Sequence, residues 1–409
     1  DSWVNTWLQT AGVNTLRPSL EIDGDVYKSI TIKQEVPLVP ADSKELRPHR
    51  LAVGLYDING DALKLRKSVE LDVTGASTVV AELAGEKVAD LLLINDRDLS
   101  YAKLRFDDRS IATLKTHLGK FDDALARALC WASIWDMHRD AEISSADFIE
   151  IALNGLAGET DDAIVNIVLA QLGTSVEAYA KDSNRDAYRE KLADGLWALT
   201  NSSAPGSDLQ LLISRAFAIN AQTADQTAKI RELLNGSAPG LKVDADLRWY
   251  FLIALTERGA TTKAELDAEL ANDNTTTGNL AFETCLAAMP NNEAKAYAFN
   301  KVLNEDIVTS VRTALVAGFQ RPIQRNLLEP FVNLYFDNLI KAWESKSYEG
   351  AAKYVTGFYP NWIVKQSTVD ATNAWLSGVG KDSPAVLRKL VKESQDGVIR
   401  ALKVQALDK

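Results

Sequence analysis

The hydrophobic pattern of this chain changes its period once, and that change constrains the fold more than any other feature. Up to about residue 106, apolar and polar residues alternate, as in the runs 51–55 (LAVGL) and 69–73 (VELDV). From residue 110 onward the apolar residues recur every three or four positions. A period of two is typical of half-buried strands, and a period near 3.6 is typical of amphipathic helices. The sequence therefore predicts a β-rich first part and a helical remainder.

Tight-turn residues separate the short apolar runs of the first part. Asp23-Gly24, Asn59-Gly60 and Thr74-Gly75 each fall between two such runs. An Asn-Gly pair between alternating runs is a strong hairpin signal, because both residues tolerate the positive φ of a two-residue turn. We therefore predict a small antiparallel β-sandwich over residues 18–107, preceded by a short amphipathic segment over residues 1–17.

Residues 118–158 follow directly and are predicted to form the first helical hairpin. Ser144 and Asp147 have the S-x-x-D spacing of a capping box, which predicts the start of its second helix. Arg127 is expected to face outward. The apolar face expected on the first helix consists of Leu118, Phe121, Leu125, Leu129, Ala132 and Trp135. The face expected on the second consists of Phe148, Ile151, Ala152 and Gly155.

The remaining chain contains further helical segments separated by Pro, Gly and Ser clusters such as residues 203–207 and 236–240. Helix pairs recur roughly every 35 to 45 residues, which is typical of HEAT- or armadillo-like arrays. We therefore predict a large all-α superhelical domain over residues 108–409, with an irregular helical bundle as the alternative. The fold class is mixed and mainly α.

Composition disfavours several classes of protein. The net charge of −11 argues against a nucleic-acid partner and against an anionic membrane surface. No segment approaches the ~20 apolar residues that a membrane span needs. Cys130 and Cys285 lie on predicted apolar helix faces, so we expect buried free thiols and a reducing, cytoplasmic location. The first residue is Asp1 rather than Met, which we interpret as the start of a piece of a longer protein.

Known catalytic motifs are missing from the sequence. HExxH, paired CxxC, GxSxG and a glycine-rich loop between a strand and a helix do not occur. The histidines are His49, His117 and His138. His138 and Glu142 have a spacing that two metal ligands on one helix can use, but two ligands do not make a site. We therefore predict no catalytic residue, no metal site and no cofactor in this chain.

Aromatic and basic residues supply the candidates for ligand binding. Three consecutive aromatic residues at 249–251 cannot all face the core from one helix, so we expect some of them to meet solvent or a ligand. A substrate groove is predicted to be lined by Arg248, Trp249 and Tyr250. Further basic candidates for a carboxylate contact are Arg321 and Arg325. The alternative for all of them is ordinary solvated surface.

Several segments resemble one enzyme family. They are WLQTAGVNTLRPSLEIDGD, LLLINDRDLSYAKLRFDDRS, LARALCWASIWDMHRDAEISSADFIEIAL and DADLRWYFLIALTERG, and they resemble the C-terminal half of zinc aminopeptidases of the aminopeptidase N family, of the actinobacterial cytosolic type. The resemblance implies that residues 1–17 lead out of a catalytic domain, that the sandwich follows, and that the helical domain closes over the active site. The zinc ligands, base and oxyanion group of the family have no counterpart at any position here.

The resemblance also implies a function and partners. The chain is expected to be a non-catalytic C-terminal region that forms the wall of a substrate chamber and contacts the C-terminal end of peptides. Zinc is expected in the missing catalytic domain. The expected partners are that catalytic half and peptide substrates, with no nucleic acid and no membrane, in a monomer. The alternative is a stand-alone α-solenoid that serves as a protein-interaction scaffold, which would also lack an active site.

Overall fold

The computed structural model describes residues 2–408. The chain divides into two compact units, Asp1–Val168 and Leu169–Lys409, which we call the sheet unit and the helical unit. The first helices of the chain belong to the same compact unit as the strands, so this division falls later than the change from strands to helices. The domain boundaries at 17/18 and 107/108 stay predictions.

The sheet unit begins with one short helix and seven strands. These are α1 (Ser2–Leu8), β1 (Thr15–Asp23), β2 (Val26–Glu35), β3 (His49–Asn59), β4 (Ala62–Val73), β5 (Ser77–Val79), β6 (Leu91–Ile94) and β7 (Lys103–Leu104). One sheet has the order β5-β2-β1-β7 and the other β4-β3-β6. Their shared core is apolar and includes Leu16, Ile30, Ile32, Leu51, Val53, Leu55, Val73, Leu92 and Ile94.

The predicted hairpins are confirmed, but the sandwich is not purely antiparallel. β1 pairs with β2 across Gly24, and β3 pairs with β4 across Gly60, where both glycines have positive φ. β7 instead pairs with β1 in parallel, Thr15 opposite Lys103. The reason is that the preceding strand, β6, lies in the other sheet, so the chain crosses between sheets and enters next to β1 in the same direction. β1 also begins at Thr15, three residues before the predicted start of the sandwich.

Four helices follow: α2 (Asp108–His117), α3 (Ala124–Arg139), α4 (Ser145–Leu156) and α5 (Asp162–Thr174). The capping prediction for α4 is confirmed, since the Ser144 hydroxyl accepts the Asp147 amide at 3.2 Å. All four residues of its predicted inner face are buried. The aspartates at 123 and 161 cap α3 and α5 in the same manner.

The predicted inner face of α3 is wrong. Asp123 caps the helix, so α3 begins after Leu118 and Phe121 rather than including them. Leu125 is 46% exposed, whereas Arg127 points inward and is buried. The observed buried residues of α3 are Ala126, Arg127, Cys130, Trp131, Ser133, Ile134, Met137 and His138. A prediction from hydrophobic periodicity places every arginine on the outer face of its helix. Here Arg127 lies on the inner face of α3, because it pairs with the buried carboxylate of Glu159.

The described part of the helical unit contains α-helices, one π-helical turn, Ser175–Tyr179, and one 3-10 turn, Pro322–Gln324. The helices after α5 are α6 (Asp182–Ser202), α7 (Asp208–Asn220), α8 (Ala224–Leu234), α9 (Ala245–Thr256), α10 (Lys263–Asn272), α11 (Thr276–Ala288), α12 (Asn292–Asn304), α13 (Thr309–Phe319), α14 (Arg325–Leu328), α15 (Phe331–Ser345), α16 (Tyr348–Gly357), α17 (Gln366–Ser377) and α18 (Ala385–Gln405). Between residues 2 and 408, none of the helices is long and apolar enough to cross a membrane.

A row of inner helices runs through this unit. α7 packs on α9, α9 on α11, α11 on α13 and α13 on α16, while the other helices flank the row. α9, α11 and α13 each pack on a neighbour from either side in the row, which is the stacking expected of a helical array. The mainly α fold class and the array-like helical part are therefore confirmed.

Side chains from neighbouring segments cap the C-terminal carbonyls of this row. Lys295 Nζ donates to the carbonyls of Ala287, Gly318 and Phe319 at 2.9, 3.0 and 3.1 Å, so one ammonium serves the ends of α11 and α13. Gln324 Nε2 donates to the carbonyls of Glu257 and Ala288 at 2.6 and 2.8 Å. These carbonyls have no partner within their own helices, so buried donors must satisfy them.

Replacing Lys295 by Met is expected to destabilise the helical unit by about 2 to 4 kcal/mol, because the carbonyls of Ala287 and Gly318 lose their donor and that of Phe319 keeps only the Arg321 amide, while the side-chain volume is nearly kept. Equilibrium urea unfolding followed by circular dichroism measures this. Lys403→Met, at an exposed position of α18, is the matched control and should change the free energy of unfolding by less than about 0.5 kcal/mol. Equal effects of the two substitutions would contradict the capping role.

Two buried arginines, Arg127 and Arg105, hold the first helices of the sheet unit through ion pairs. Arg127 Nε donates to both oxygens of Glu159 at 3.1 and 3.0 Å, and the Trp131 indole donates to Glu159 at 2.8 Å. Arg105, with a side chain only 1% exposed, pairs with Asp140 and Glu142. Burial alone would raise the pKa of the Glu159 carboxyl, but hydrogen bonds from Arg127, Trp131 and two backbone amides outweigh it, so the pKa is lowered.

Glu159→Gln is expected to lower stability more at pH 7 than at pH 3. Because the pKa of Glu159 is lower in the folded state, the unfolded state binds more protons in mild acid. The stability contributed by this carboxylate is therefore present above its unfolded pKa and lost as the pH falls. Urea midpoints measured from pH 7 to pH 3 should show the variant and the parent chain converging toward the acid end. Glu82→Gln changes an exposed residue, so its urea midpoint should differ from that of the parent chain by the same amount at every pH.

Candidate ligand site of the helical unit

The three residues predicted to line a groove lie on the first half of α9, and the structure gives them different surroundings. Arg248 donates to both oxygens of Glu269, Nε at 2.7 Å and Nη2 at 2.6 Å, and its side chain is 40% exposed. Trp249 is buried, and its indole donates to Asp273 at 2.8 Å. Tyr250 is half-buried. Of the three, Arg248 and Tyr250 therefore keep exposed surface, and their role in a groove stays a prediction.

The expectation that one of the three consecutive aromatics must leave the core is only partly met. Trp249 and Phe251 are both buried. Tyr250 lies between them in sequence, and the guanidinium of Arg215 stands 5.4 Å from its ring centroid. The reason is that α9 is an inner helix with α7, α8 and α11 packed around it, so most of its circumference is covered.

Basic residues of the helical unit gather around two carboxylates, Glu177 and Glu257, and Tyr250 lies near the second. The group that we call the arginine cluster contains Arg189, Arg215, Arg258, Arg321 and Arg325, with these two carboxylates among them. The guanidiniums outnumber the carboxylates in a chain whose net charge is −11. This cluster is therefore a local, largely buried excess of positive charge that the overall charge does not reveal.

Glu177 holds one side of the arginine cluster. Arg189 donates to its two oxygens at 2.7 and 2.8 Å. Arg325 Nη2 donates to the Glu177 carboxylate at 2.8 Å and to its backbone carbonyl at 2.9 Å. Burial alone would raise the pKa of Glu177, but the bonds and charges of the two arginines outweigh it, so the pKa is lowered. The carboxylate therefore stays ionised and orients both guanidiniums.

Glu257 holds the other side, where hydrogen-bond donors remain available. Arg321 Nε stands 3.4 Å from Glu257, and Arg258 pairs with the same carboxylate. The buried Nε of Arg215 makes no hydrogen bond in the described part of the chain, and the buried Nε of Arg321 has the ion pair with Glu257 but no hydrogen bond there. Burial raises the pKa of Tyr250 to about 12, so its hydroxyl keeps its proton and can donate. Guanidinium groups and a phenol facing one region can bind a carboxylate or another small anion.

The structure brings together some of the predicted basic residues and separates others. Arg321 and Arg325 both belong to the arginine cluster. Arg248 lies instead near the start of α9 with Glu269, whereas the cluster includes Glu257 beyond the end of that helix. Arg189, Arg215 and Arg258 were not predicted. These three arginines share no regular spacing in the sequence, since they lie on α6, on α7 and after α9, so no local pattern could predict them together.

His138 and Glu142, whose spacing alone could suit two metal ligands, do not form a shared site, in agreement with the sequence analysis. His138 is buried, stacks on Phe148 at 4.8 Å between ring centroids, and its Nδ1 lies 2.9 Å from the Ile143 carbonyl. Glu142 instead accepts from Arg17 and Arg105. Within residues 2–408, no group of three His, Cys, Asp or Glu side chains is placed to hold a metal ion.

The remaining candidates, His49 and the two cysteines, are buried within the fold. His49 is enclosed in the sheet unit between Ser100, 2.6 Å from Nδ1, and Gln34, 3.1 Å from Nε2. Burial lowers the pKa of His49 to about 4, so it is neutral at physiological pH. Cys130 and Cys285 are buried free thiols, as predicted, and burial raises the pKa of both.

Comparison with known proteins adds two findings. Residues 91–400 match the family described as ERAP1-like C-terminal domain. The chain is also 41% identical over 415 aligned residues to aminopeptidase N of Streptomyces lividans, and the alignment covers 100% of this chain and 48% of that protein. The chain thus spans about half the length of this relative.

Proposed function

Because the chain belongs to the family of ERAP1-like C-terminal domains, we propose that it is the non-catalytic C-terminal region of a zinc-dependent aminopeptidase, a peptidase that removes N-terminal residues from peptides. The similarity to an aminopeptidase N along the whole chain supports this proposal. In it, the zinc, its ligands and the catalytic base belong to a part of the protein outside residues 1–409. We also expect the protein to be cytoplasmic and monomeric.

The observation that carries the role of this region is the arginine cluster. A peptide whose N-terminus is held at a zinc ion carries its free carboxylate at the opposite end. Arg215 lies against the Tyr250 ring, and Arg321, whose side chain is 17% exposed, pairs with Glu257 at 3.4 Å. A peptide carboxylate can accept hydrogen bonds from these guanidinium groups and from the phenol. The proposed role is therefore to wall the substrate chamber and to hold the C-terminal end of the peptide.

The alternative role as a stand-alone scaffold is less well supported. A helical array can serve as a scaffold without an enzymatic partner. The relative that matches this chain along its full length is itself described as an aminopeptidase, however, and is about twice as long. The two roles differ in the size and activity of the native protein.

The native protein tests this choice directly. An antibody against residues 1–409 should detect a band of about twice 44.8 kDa in an extract of the source organism. The same fraction should contain aminopeptidase activity that a chelator removes and zinc restores. A band near 44.8 kDa without such activity would support the scaffold instead.

Arg321→Gln in the full-length enzyme is expected to raise the KM for peptides with a free C-terminal carboxylate by about 10- to 100-fold, because a charged hydrogen bond of about 1.5 to 3 kcal/mol is lost. The KM for the same peptides with an amidated C-terminus, and for aminoacyl chromogenic substrates that lack a peptide tail, should change little.

Arg248→Gln is the matched comparison. If the groove predicted around Arg248 holds the peptide tail, this variant should show the substrate-dependent rise in KM and Arg321→Gln should not. We expect the opposite, because Glu269 already occupies the Nε/Nη2 edge of the Arg248 guanidinium with both of its oxygens. If both variants affect tailed and tail-less substrates equally, the carboxylate contact is excluded.

A further inference from the structure

Two separate sets of hydrogen bonds hold the π-helical turn Ser175–Tyr179. It continues α5 and ends with the Ala180 amide donating to the Ser175 carbonyl at 2.9 Å. All five of its residues are buried. π-helical turns are rare because their packing is less favourable than that of the α-helix, so surrounding contacts must stabilise them. On one side these contacts are the bonds of Arg189 and Arg325 to Glu177.

The second set of contacts comes from the last turn of α18 and the residues after it. Gln405 Nε2 donates to the Ala178 carbonyl at 2.8 Å. The Asp408 carboxylate accepts the Lys181 amide at 3.0 Å and the Tyr188 hydroxyl at 2.9 Å. We call Gln405 and Asp408 the clasp. Asp408 is 1% exposed, so its carboxylate is a buried charge whose partners lie on the segment that contains the π-helical turn and the start of α6.

The position of Asp408 has an electrostatic reason. α6 begins after Lys181, whose side chain provides no cap. The free amides at a helix N-terminus, together with the helix dipole, favour an anionic acceptor. Asp408 provides that acceptor from a residue more than two hundred positions away in sequence. The clasp therefore fixes both ends of the short connection between the π-helical turn and α6.

We propose that the clasp positions the π-helical turn and, through Glu177, the guanidiniums of Arg189 and Arg325 in the arginine cluster. If the turn relaxes to α-helical register, residue 177 rotates by about 100° around the helix axis, which breaks its pairs with both arginines. Gln405 and Asp408 are positioning residues in this proposal, since they contact no residue of the arginine cluster except through the π-helical segment. Its consequence for peptide binding rests on the proposed function, whereas its effect on the turn does not.

Amide hydrogen exchange of this chain tests the proposal without any substrate. In Asp408→Ala, residues 176–181 should exchange about tenfold faster than in the parent chain, compared at equal global stability. Gln395→Ala is the matched control, because Gln395 lies on the same helix and its amide makes comparable buried bonds, to the Val369 carbonyl and Asn373 on α17. That variant should leave the exchange of 176–181 unchanged. Asp408→Asn keeps one acceptor oxygen for the Lys181 amide, so its exchange rate at residues 176–181 should lie between those of the two alanine variants. It replaces Asp408→Ala in the test if that variant does not fold.

The link to the arginine cluster needs a second readout. The NMR signals of the Glu177 carboxyl carbon and of the Arg189 and Arg325 Nε groups should shift in Asp408→Ala and not in Gln395→Ala. The proposal is overturned if residues 176–181 exchange as slowly in Asp408→Ala as in the parent chain. It is also overturned if they exchange as fast in Gln395→Ala as in Asp408→Ala. Faster exchange without any shift of the cluster signals also overturns it, since the clasp then only anchors α18.

Kinetics of the full-length enzyme separate this proposal from the proposed function. If the proposed function and the positioning role are both correct, Asp408→Ala raises the KM for peptides with a free carboxylate. The KM for substrates without a peptide tail stays unchanged. If exchange and NMR respond but neither Asp408→Ala nor Arg321→Gln changes the KM, the positioning stands and the peptide-binding role of the cluster fails.

Discussion

The helical unit depends on donors for the carbonyl groups at the ends of its packed helices. Because the inner helices end in the interior, water cannot satisfy these carbonyls, and side chains from neighbouring segments take its place. Lys295 serves the ends of α11 and α13, Gln324 those of α9 and α11, and Gln320 donates to Gly357 and Tyr359 at the end of α16. Each such bond ties one repeat to the next, so the row of helices is specified by polar contacts as well as by its apolar core.

The same segments that satisfy the helix ends also build the arginine cluster. In the turn after α13, Gln320 and Gln324 donate to helix ends, while Arg321 and Arg325 pair with Glu257 and Glu177. Adjacent residues of one short stretch thus contribute to the fold (Gln320 and Gln324) and to the candidate site (Arg321 and Arg325). The carboxylates reduce repulsion among the guanidiniums without neutralising all of them, so a local excess of positive charge persists in an acidic chain.

Charged residues explain where the sequence interpretation of the first helices failed. A hydrophobic period places arginine outside, yet Arg105 and Arg127 are buried because Asp140 and Glu159 meet them inside the sheet unit. Burying such a pair is favourable only when its geometry and hydrogen bonds are complete, and the two carboxylates come from parts of the chain that lie about thirty residues away. No local pattern contains that information.

The sequence by itself determined the features that depend on neighbouring residues. These are the change from strands to helices, the turns at Gly24 and Gly60, the cap at Ser144, and the family, since each follows from local sterics, hydrogen bonding or quoted segments. Only the tertiary structure decided the parallel pairing of β7, the inward face of α3 and the membership of the arginine cluster, from which Arg248 is absent. These depend on which distant groups meet and on the cost of leaving a buried charge or carbonyl without a partner, and the spacing of residues along the chain does not encode either.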